Sequence, residues 1–91
     1  MVWYVYMVRC RDGSLYCGVA KDVLRRIEEH NNSTRGSRYT RARRPVALAW
    51  RKRLASRSTA CREEARIKSL PKRSKEALCR GTACKLPRRS R

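Results

Sequence analysis

The chain has 91 residues and a formal net charge of +18, with 25 Lys and Arg against 7 Asp and Glu. A small domain with this charge repels itself unless anions lie against it, which indicates a polyanionic partner: DNA, RNA or, less favoured, an acidic membrane surface. No apolar run approaches the roughly 20 residues that cross a bilayer, and no basic leader with a cleavage site precedes the first apolar segment. A hydrophobic share of 41% still allows a small folded core.

The charge is distributed unevenly along the chain. Residues 1–30 carry a net charge of +1, residues 31–62 of +10 and residues 63–91 of +7. The nearly neutral first third also contains most of the aromatic residues. We therefore expect a scaffold or a site in the first third and a phosphate-binding surface behind it.

The cysteines and the single histidine restrict the chemistry. The five cysteines are Cys10, Cys17, Cys61, Cys79 and Cys84. An odd number without a secretion signal favours reduced thiols and a cytoplasmic location. Only Cys79 and Cys84 are close in sequence, and His30 is distant from both, so the spacing does not predict a structural zinc site.

The first third predicts a hairpin followed by a helix. Residues 2–9 alternate with β-branched and aromatic side chains, which predicts a strand buried on both faces. Asp12 and Gly13 mark a turn, and residues 15–19 form the antiparallel second strand. Asp22 is expected to be the N-cap of a helix that ends before the polar residues 31–34.

The remaining elements complete an α+β domain. Residues 36–44 are expected to form a basic loop and residues 46–52 a third strand, with Val46, Leu48 and Trp50 on one face. A second helix starts at Ser58 or Thr59 and runs to residue 70, and a short third helix covers residues 71–81. The order β-β-α-β-α-α predicts a small three-stranded antiparallel sheet flanked by helices over residues 1–81. Residues 82–91 are expected to be a disordered basic tail.

Three tyrosines and a glycine are expected near one another on the hairpin. Tyr4 and Tyr6 share a face of the first strand, and Tyr16 lies on the second. Tyrosines in such a hairpin most often simply pack together. Gly18 within a strand marks a close approach of backbone or ligand.

Three charged or titratable residues complete the candidate set. Arg26 and His30 are four residues apart and share a helical face, which is often only solvated surface. Glu64 is one of few acids in the basic part of the chain; it either pairs with a cation or serves as an oxygen ligand for Mg²⁺.

Together these residues form a set able to cleave a phosphodiester. A metal at Glu64 would polarise the phosphate, and Arg26 would stabilise the additional negative charge of the transition state. A tyrosine or His30 would activate the attacking water.

The same ordered set resembles the GIY-YIG nuclease family. The first motif is YVY, ending at Tyr6, and the second is YCG, starting at Tyr16. The run WYVYMVRCRDGSLYCGVAKDVLRRIEEHN, followed by SRYTRARRPVALAW and REEARIKSL, is similar to the short stand-alone bacterial proteins of the YhbQ type (URI domain). The resemblance extends over residues 2–80. Two departures are Tyr4 in place of the first motif glycine and the lack of a late asparagine, since Asn31 and Asn32 are the only two.

The resemblance implies the GIY-YIG fold and an endonuclease that depends on Mg²⁺ or Mn²⁺. Motif matching gives catalytic roles to Tyr6, Tyr16, Arg26 and His30, a metal-binding role to Glu64 and a structural role at the site to Gly18. The expected nucleic-acid contacts are Arg35, Arg38, Tyr39, Thr40, Arg41, Arg43, Arg44 and Lys68. The basic segment offers no groove-reading helix, so we expect recognition of shape or backbone.

Three functions are compatible with these residues. The first is a structure-selective or weakly sequence-specific DNA endonuclease in repair or recombination, acting on branched, damaged or single-stranded DNA. A protein partner is a further potential source of specificity, and no membrane partner is expected. The second is a non-catalytic nucleic-acid-binding module on the same fold. The third, a small basic structural protein, gives no reason for the Tyr, Arg, His and Glu set.

Overall fold

Seven elements make up the fold. The structure is a computed structural model that describes residues 2–32 and 38–85. The elements are β1 (Trp3–Arg9), β2 (Leu15–Ala20), α1 (Val23–Asn32), α2 (Arg38–Arg41), β3 (Ala47–Leu54), α3 (Arg57–Lys68) and α4 (Lys72–Lys85). The predicted α+β architecture is confirmed, with α2 as an addition inside the segment expected to be a loop.

The three strands form one antiparallel sheet in the order β2-β1-β3. The central strand β1 is fully buried from Val5 to Val8, as its alternating apolar residues predicted. Tyr6 lies opposite Gly18 on β2 and opposite Arg51 on β3. Strands β2 and β3 are therefore the two edges of the sheet.

Two small cores lie on opposite faces of the sheet. One face packs against α3 and α4, and its buried members are Val5, Met7, Cys17, Trp50, Ala60, Ile67 and Cys79. The other face is covered by α1, and its buried members are Tyr6, Val8, Cys10, Ala20, Val23 and Val46. Full burial of one such aliphatic or aromatic side chain contributes about 1.5–3 kcal/mol, so both faces stabilise β1.

The bounds of β3 and the faces of its side chains differ from the prediction. The strand continues to Leu54, which pairs with Trp3, rather than ending at residue 52. The register shifts between Met7 and Val8. Because of this irregularity, Val46 and Trp50 lie on opposite faces of the sheet. Trp50 packs in the core against α3 and α4, and Val46 packs in the core under α1.

Side-chain caps set the helix starts. The Oδ1 atom of Asp22 accepts from the Arg25 amide at 3.1 Å, which confirms the predicted cap of α1. Helix α3 starts at Arg57, earlier than predicted, because Ser56 and Thr59 form a capping box. The Ser56 hydroxyl accepts from the Thr59 amide at 3.2 Å, and Thr59 Oγ1 accepts from the Ser56 amide at 3.3 Å.

Three helices end elsewhere than predicted. Helix α1 continues through Asn32, and α3 stops at Lys68. Helix α4 passes the predicted end at Gly81 and reaches Lys85, because an internal glycine costs only about 1 kcal/mol and removes no backbone hydrogen bond. The rest of the predicted tail, residues 86–91, lies outside the described residues.

A bidentate ion pair ties the last helix to the central strand. The Arg9 guanidinium donates to both carboxylate oxygens of Glu76, with Nη2 at 2.6 Å from Oε1. Within the described ranges, no helix combines the length and the apolar character needed to cross a membrane.

Candidate active site

A cleft of about 440 Å³ opens beside the edge strand β2. Its lining residues are Trp3, Tyr16, Val19, Arg26, Arg57, Cys61 and Glu64. Arg26 comes from α1 on one face of the sheet, Glu64 from α3 on the other face, and Tyr16 from β2 between them. The structure therefore brings three predicted site residues together from three elements.

Tyr6 and His30 lie behind the cleft. Tyr6 is 1% exposed and His30 is 0% exposed. The Tyr6 hydroxyl lies 2.9 Å from His30 Nε2, and the nearby Arg26 charge acts on the pKa of that hydroxyl. The catalytic roles of Tyr6 and His30 therefore stay predictions. Both side chains are buried, so their effect on the cleft would pass through neighbouring residues.

Gly18 makes room for Tyr6. A Cβ atom at position 18 would lie 2.6 Å from the Tyr6 hydroxyl oxygen and 2.8 Å from its Cζ. Real Cβ atoms do not approach other atoms this closely, so the tyrosine ring needs a glycine beneath it. The predicted close approach at Gly18 thus involves a protein side chain.

His30 joins α1 to α2. Its Nδ1 atom lies 2.8 Å from the Thr40 hydroxyl, and its ring meets that of Tyr16 edge to face at a centroid distance of 5.4 Å. Thr40 has no exposed surface. The predicted contact of Thr40 with nucleic acid is therefore corrected: its side chain lies in the interior, on the histidine.

Burial keeps both ring systems of this network neutral. Desolvation raises the pKa of Tyr6 to about 12, against the lowering effect of Arg26. Desolvation, together with the charges of Arg26 and Arg44, lowers the pKa of His30 to about 4. Near neutral pH neither group changes its charge, so the pair is suited to holding neighbouring groups in place.

Tyr39 and Arg43 support Tyr16. The Tyr39 ring stacks on that of Tyr16 at 5.8 Å, and the Arg43 guanidinium lies 3.9 Å from the centre of the Tyr39 ring. Arg43 also donates to Asp12 Oδ2 and to the Tyr39 carbonyl, both at 3.0 Å. These contacts give Arg43 a structural role, and its predicted contact with nucleic acid stays a prediction.

The other predicted nucleic-acid contacts fall into three groups. Arg38 and Arg41 are exposed and line a shallow recess on α2. Arg44 donates from Nε to the His30 carbonyl, and Lys68 pairs with Glu64 at 3.2 Å. Arg35 lies outside the described residues.

Glu64 supplies a carboxylate to the cleft. Among the described residues that line this cleft, it is the only one that carries a carboxylate. Within the described ranges, no group of three or more His, Cys, Asp or Glu side chains could hold a metal ion. Mg²⁺ is commonly bound by one or two carboxylates and completed by substrate phosphates and water. This donor set fits such a cation.

Four lining residues were not predicted as site residues: Trp3, Val19, Arg57 and Cys61. Arg57 and Cys61 precede Glu64 by seven and three residues, so all three share one face of α3. That spacing is visible in the sequence and could have identified them. Trp3 was assigned only to the strand; its ring lies 5.2 Å from Lys21 Nζ and 5.9 Å from the Arg57 guanidinium carbon.

Asn31 has a structural role. Its Nδ2 atom donates to the Val46 carbonyl at 2.9 Å, and its Oδ1 accepts from the Val46 amide at 2.7 Å. The side chain thus pairs with backbone just before β3 and joins α1 to that strand. It does not line the cleft.

Known proteins are similar to this chain over most of its length. The family model of the GIY-YIG catalytic domain matches residues 2–77. A UPF0213 protein of Desulfotalea psychrophila is 46% identical over 80 residues, covering 88% of this chain and 73% of that protein. A UPF0213 protein of Staphylococcus saprophyticus is 44% identical over 72 residues, covering 79% and 87%.

Two solved structures share the fold. The solution NMR structure of a UPF0213 protein from Bacillus halodurans is 44% identical with a TM-score of 0.54, covering 86% of this chain and 82% of that one. That of a protein from E. faecalis is 31% identical with a TM-score of 0.61, covering 100% and 96%. The chain belongs to the GIY-YIG family, whose domain is a nuclease fold. Within it, the similarity is to small bacterial UPF0213 proteins.

Proposed function

We propose that this protein is a metal-dependent endonuclease that hydrolyses phosphodiester bonds in DNA. We place it in the cytoplasm, in repair or recombination, with structure-selective or weakly sequence-specific action. The observation that carries the proposal is the cleft where Tyr16, Arg26 and Glu64 meet from three separate elements. The net charge of +18 adds a general attraction for the phosphate backbone.

Arg26 is the group placed to stabilise negative charge. Its guanidinium pairs with Glu29 at 2.8 Å, and its charge interacts with the Tyr6 hydroxyl. The ion pair restricts its rotamers, so its orientation is established before substrate arrives. A preorganised donor of this kind contributes more in a partly desolvated cleft than a mobile one.

Tyr16 and Glu64 have complementary roles across the cleft. The Tyr16 ring is held by Tyr39 and His30, and its hydroxyl would hydrogen-bond the attacking water or the scissile phosphate. Glu64 would hold Mg²⁺ or Mn²⁺ together with a phosphate oxygen, and the metal would supply Lewis-acid polarisation. Lys68 now pairs with that carboxylate and would move to a phosphate when a cation binds.

The basic surface outside the cleft indicates how substrate is held. Arg38 and Arg41 are exposed on α2, and Arg57 lines the cleft itself. Such contacts position the backbone without reading bases. We therefore expect branched, damaged or single-stranded DNA to be distinguished by shape.

Cleavage assays on branched, nicked and linear DNA with Mg²⁺ or Mn²⁺ test the proposal. Glu64→Gln and Arg26→Ala are expected to lower the cleavage rate by about 10²-fold or more, while DNA affinity stays nearly unchanged. The matched controls are Glu63→Gln, which makes the same charge change on the adjacent residue, and Arg25→Ala. Failure of pure wild-type protein to cut any of these DNAs with metal supplied would refute the proposal.

A non-catalytic nucleic-acid-binding module is the second candidate. The observation favouring it is the Lys68–Glu64 ion pair, which already satisfies the carboxylate without a metal. This candidate predicts binding that falls steeply with salt, no cleavage, and no effect of metal. The same variants therefore separate the two functions.

A further inference from the structure

Trp3 lines the cleft and is only partly buried. It is the first residue of β1 and packs against the core that faces α3 and α4. Trp50, in the same core, is only 8% exposed. Trp3 also borders the cavity that contains Arg57 and Glu64, so an aromatic ring and charged groups share one space.

Two cations lie close to the Trp3 ring. Lys21 Nζ is 5.2 Å from the ring centroid, and the Arg57 guanidinium carbon is 5.9 Å from it. Both residues are exposed. A cation held over an aromatic ring at an exposed site is bound only weakly. Either side chain can therefore move from the ring to a phosphate without a large loss of stability.

Helix α3 relates this ring to the proposed metal ligand. Arg57 and Glu64 are seven residues apart on one face of the helix, which corresponds to about 10 Å along its axis. The cleft of about 440 Å³ lies within the size range of sites for small ligands and has room for one nucleotide. A DNA strand that runs along α3 would place one base at Trp3 and a nearby phosphate at Glu64.

We propose that the cleft contains a base-stacking subsite, in which one unstacked base of the substrate strand lies on Trp3. Arg57 and Lys21 bind the adjoining phosphates. An aromatic side chain stacks on any of the four bases, so this contact does not read sequence. It does distinguish an unpaired base from one inside a duplex, because the latter is already stacked between its neighbours. The identity of the ligand as a DNA strand rests on the proposed function.

Two oligomers of equal charge test the subsite. Oligothymidylate of about eight nucleotides and an abasic oligomer of the same length carry the same phosphates and differ only in their bases. Fluorescence anisotropy in EDTA measures both affinities without metal-dependent cleavage. The wild type is expected to bind oligothymidylate about 5- to 100-fold more tightly, the usual effect of stacking a base on an aromatic side chain. Equal affinities overturn the inference.

Substitution of Trp3 assigns this preference to one ring. Trp3→Leu is expected to weaken the binding of oligothymidylate, to leave that of the abasic oligomer nearly unchanged, and so to remove most of the preference. Trp3→Tyr keeps an aromatic face and should keep most of it. A folded Trp3→Leu variant with the full preference of the wild type contradicts the subsite.

Tryptophan emission supplies a readout that needs no variant at Trp3. The chain has two tryptophans, and Trp50 lies in the core. The emission of the wild type is expected to fall when oligothymidylate binds and to stay nearly constant with the abasic oligomer. Unchanged emission at saturating oligothymidylate overturns the inference, even if Trp3→Leu does not fold.

Arg57→Gln tests the contact with phosphate. It is expected to reduce the slope of log affinity against log salt by about 0.7 for both oligomers, the contribution of one phosphate contact to a single strand. Arg62→Gln, on an exposed position of the same helix, is the matched control and should change the slope less. A loss of affinity for oligothymidylate alone would contradict the assignment of Arg57 to phosphate.

The subsite and the proposed function fail separately. A wild type whose Trp3 stacks on oligothymidylate but which cuts no DNA would refute the nuclease function and leave the subsite intact. A wild type that cuts DNA, but binds both oligomers equally, would remove the subsite and leave the nuclease function intact.

Discussion

Tyr6 and Tyr16 occupy equivalent motif positions but have opposite surroundings. Tyr6 is enclosed by Gly18, His30 and Arg26, whereas Tyr16 lines the cleft. The alternation along two strands places both on one face of the sheet, and that much could be predicted. Which of them is exposed depends on where α1 lies across that face. Strand periodicity carries no information about this placement.

Gly18→Ala is expected to destabilise the fold by about 1–3 kcal/mol, the usual cost of overpacking a core. The new methyl would overlap the Tyr6 ring, whose hydroxyl oxygen would be only 2.6 Å away. Urea unfolding followed by circular dichroism measures this difference in the free energy of unfolding.

Tyr6→Phe supplies the matched partner for a double-mutant cycle. It removes the atom nearest to the added methyl, so Gly18→Ala should cost less in the Phe background than in the wild type. Equal costs in the two backgrounds would show that Tyr6 does not rest on Gly18.

At the level of elements, α2 is the part of the fold that the sequence did not predict. The four residues RYTR have no helical apolar period, and isolated helices this short are not stable in water. Tertiary contacts hold α2 instead: Thr40 bonds to His30, and Tyr39 stacks on Tyr16. Both partners are distant in sequence, so local patterns could not reveal them.

Arg38 and Arg41 on α2 are exposed, whereas Arg43, two residues after this helix, is hydrogen-bonded to Asp12 and Tyr39. Arg38→Ala with Arg41→Ala is expected to reduce the slope of log affinity against log salt by roughly 2 for duplex DNA, because each lost phosphate contact contributes about 0.9. Fluorescence anisotropy in EDTA, over a series of salt concentrations, measures this without cleavage.

Arg43→Ala is the matched control for this comparison. Arg43 is bound to Asp12 and Tyr39, so its loss should lower the unfolding temperature and leave the salt slope nearly unchanged. A larger slope change for Arg43→Ala than for the double variant would contradict the assignment of these arginines.

Helix α3 could have been predicted more fully than it was. Ser56 and Thr59 have the spacing of a capping box, although Thr replaces the usual Glu or Gln at the third helical position. The 57, 61 and 64 positions follow helical periodicity and lead to the cleft. Glu64 was identified from its charge and its motif match, while its neighbours needed only the helix geometry.

For the molecule as a whole, the few acids act as cross-links. Asp12, Glu29, Glu63, Glu64 and Glu76 each pair with Arg or Lys, and Arg9–Glu76 and Arg43–Asp12 join distant segments. Protonation of these carboxylates therefore weakens ion pairs at several points of the fold. The Arg66 and Lys52 side chains hold the pKa of Glu63 at about 2.

Acid should destabilise the protein in two stages. Burial lowers the pKa of His30 to about 4, so the folded protein favours the neutral ring. The contribution of His30 to the free energy of unfolding is therefore complete above pH 6.5, falls as the pH drops, and is lost below about 4. The shift corresponds to a contribution on the order of 3 kcal/mol. Glu63 adds a loss between pH 4.5 and 2. Urea unfolding from pH 7 to 2 measures both.

His30→Gln tests the first stage. Glutamine does not titrate, so the decline between pH 6.5 and 4.5 should flatten even if the variant is less stable throughout. An unchanged decline in that range would assign it to another group.

The Arg9–Glu76 link also bears on synthesis at the ribosome. The two residues are separated by 67 positions, and β1 must wait for β3 before its second edge is paired. Strand β1 therefore waits for its second neighbour, and contacts of such long range slow folding. Until β3 emerges, the nascent chain presents a half-paired apolar strand, and the order of translation decides how long that strand stays exposed.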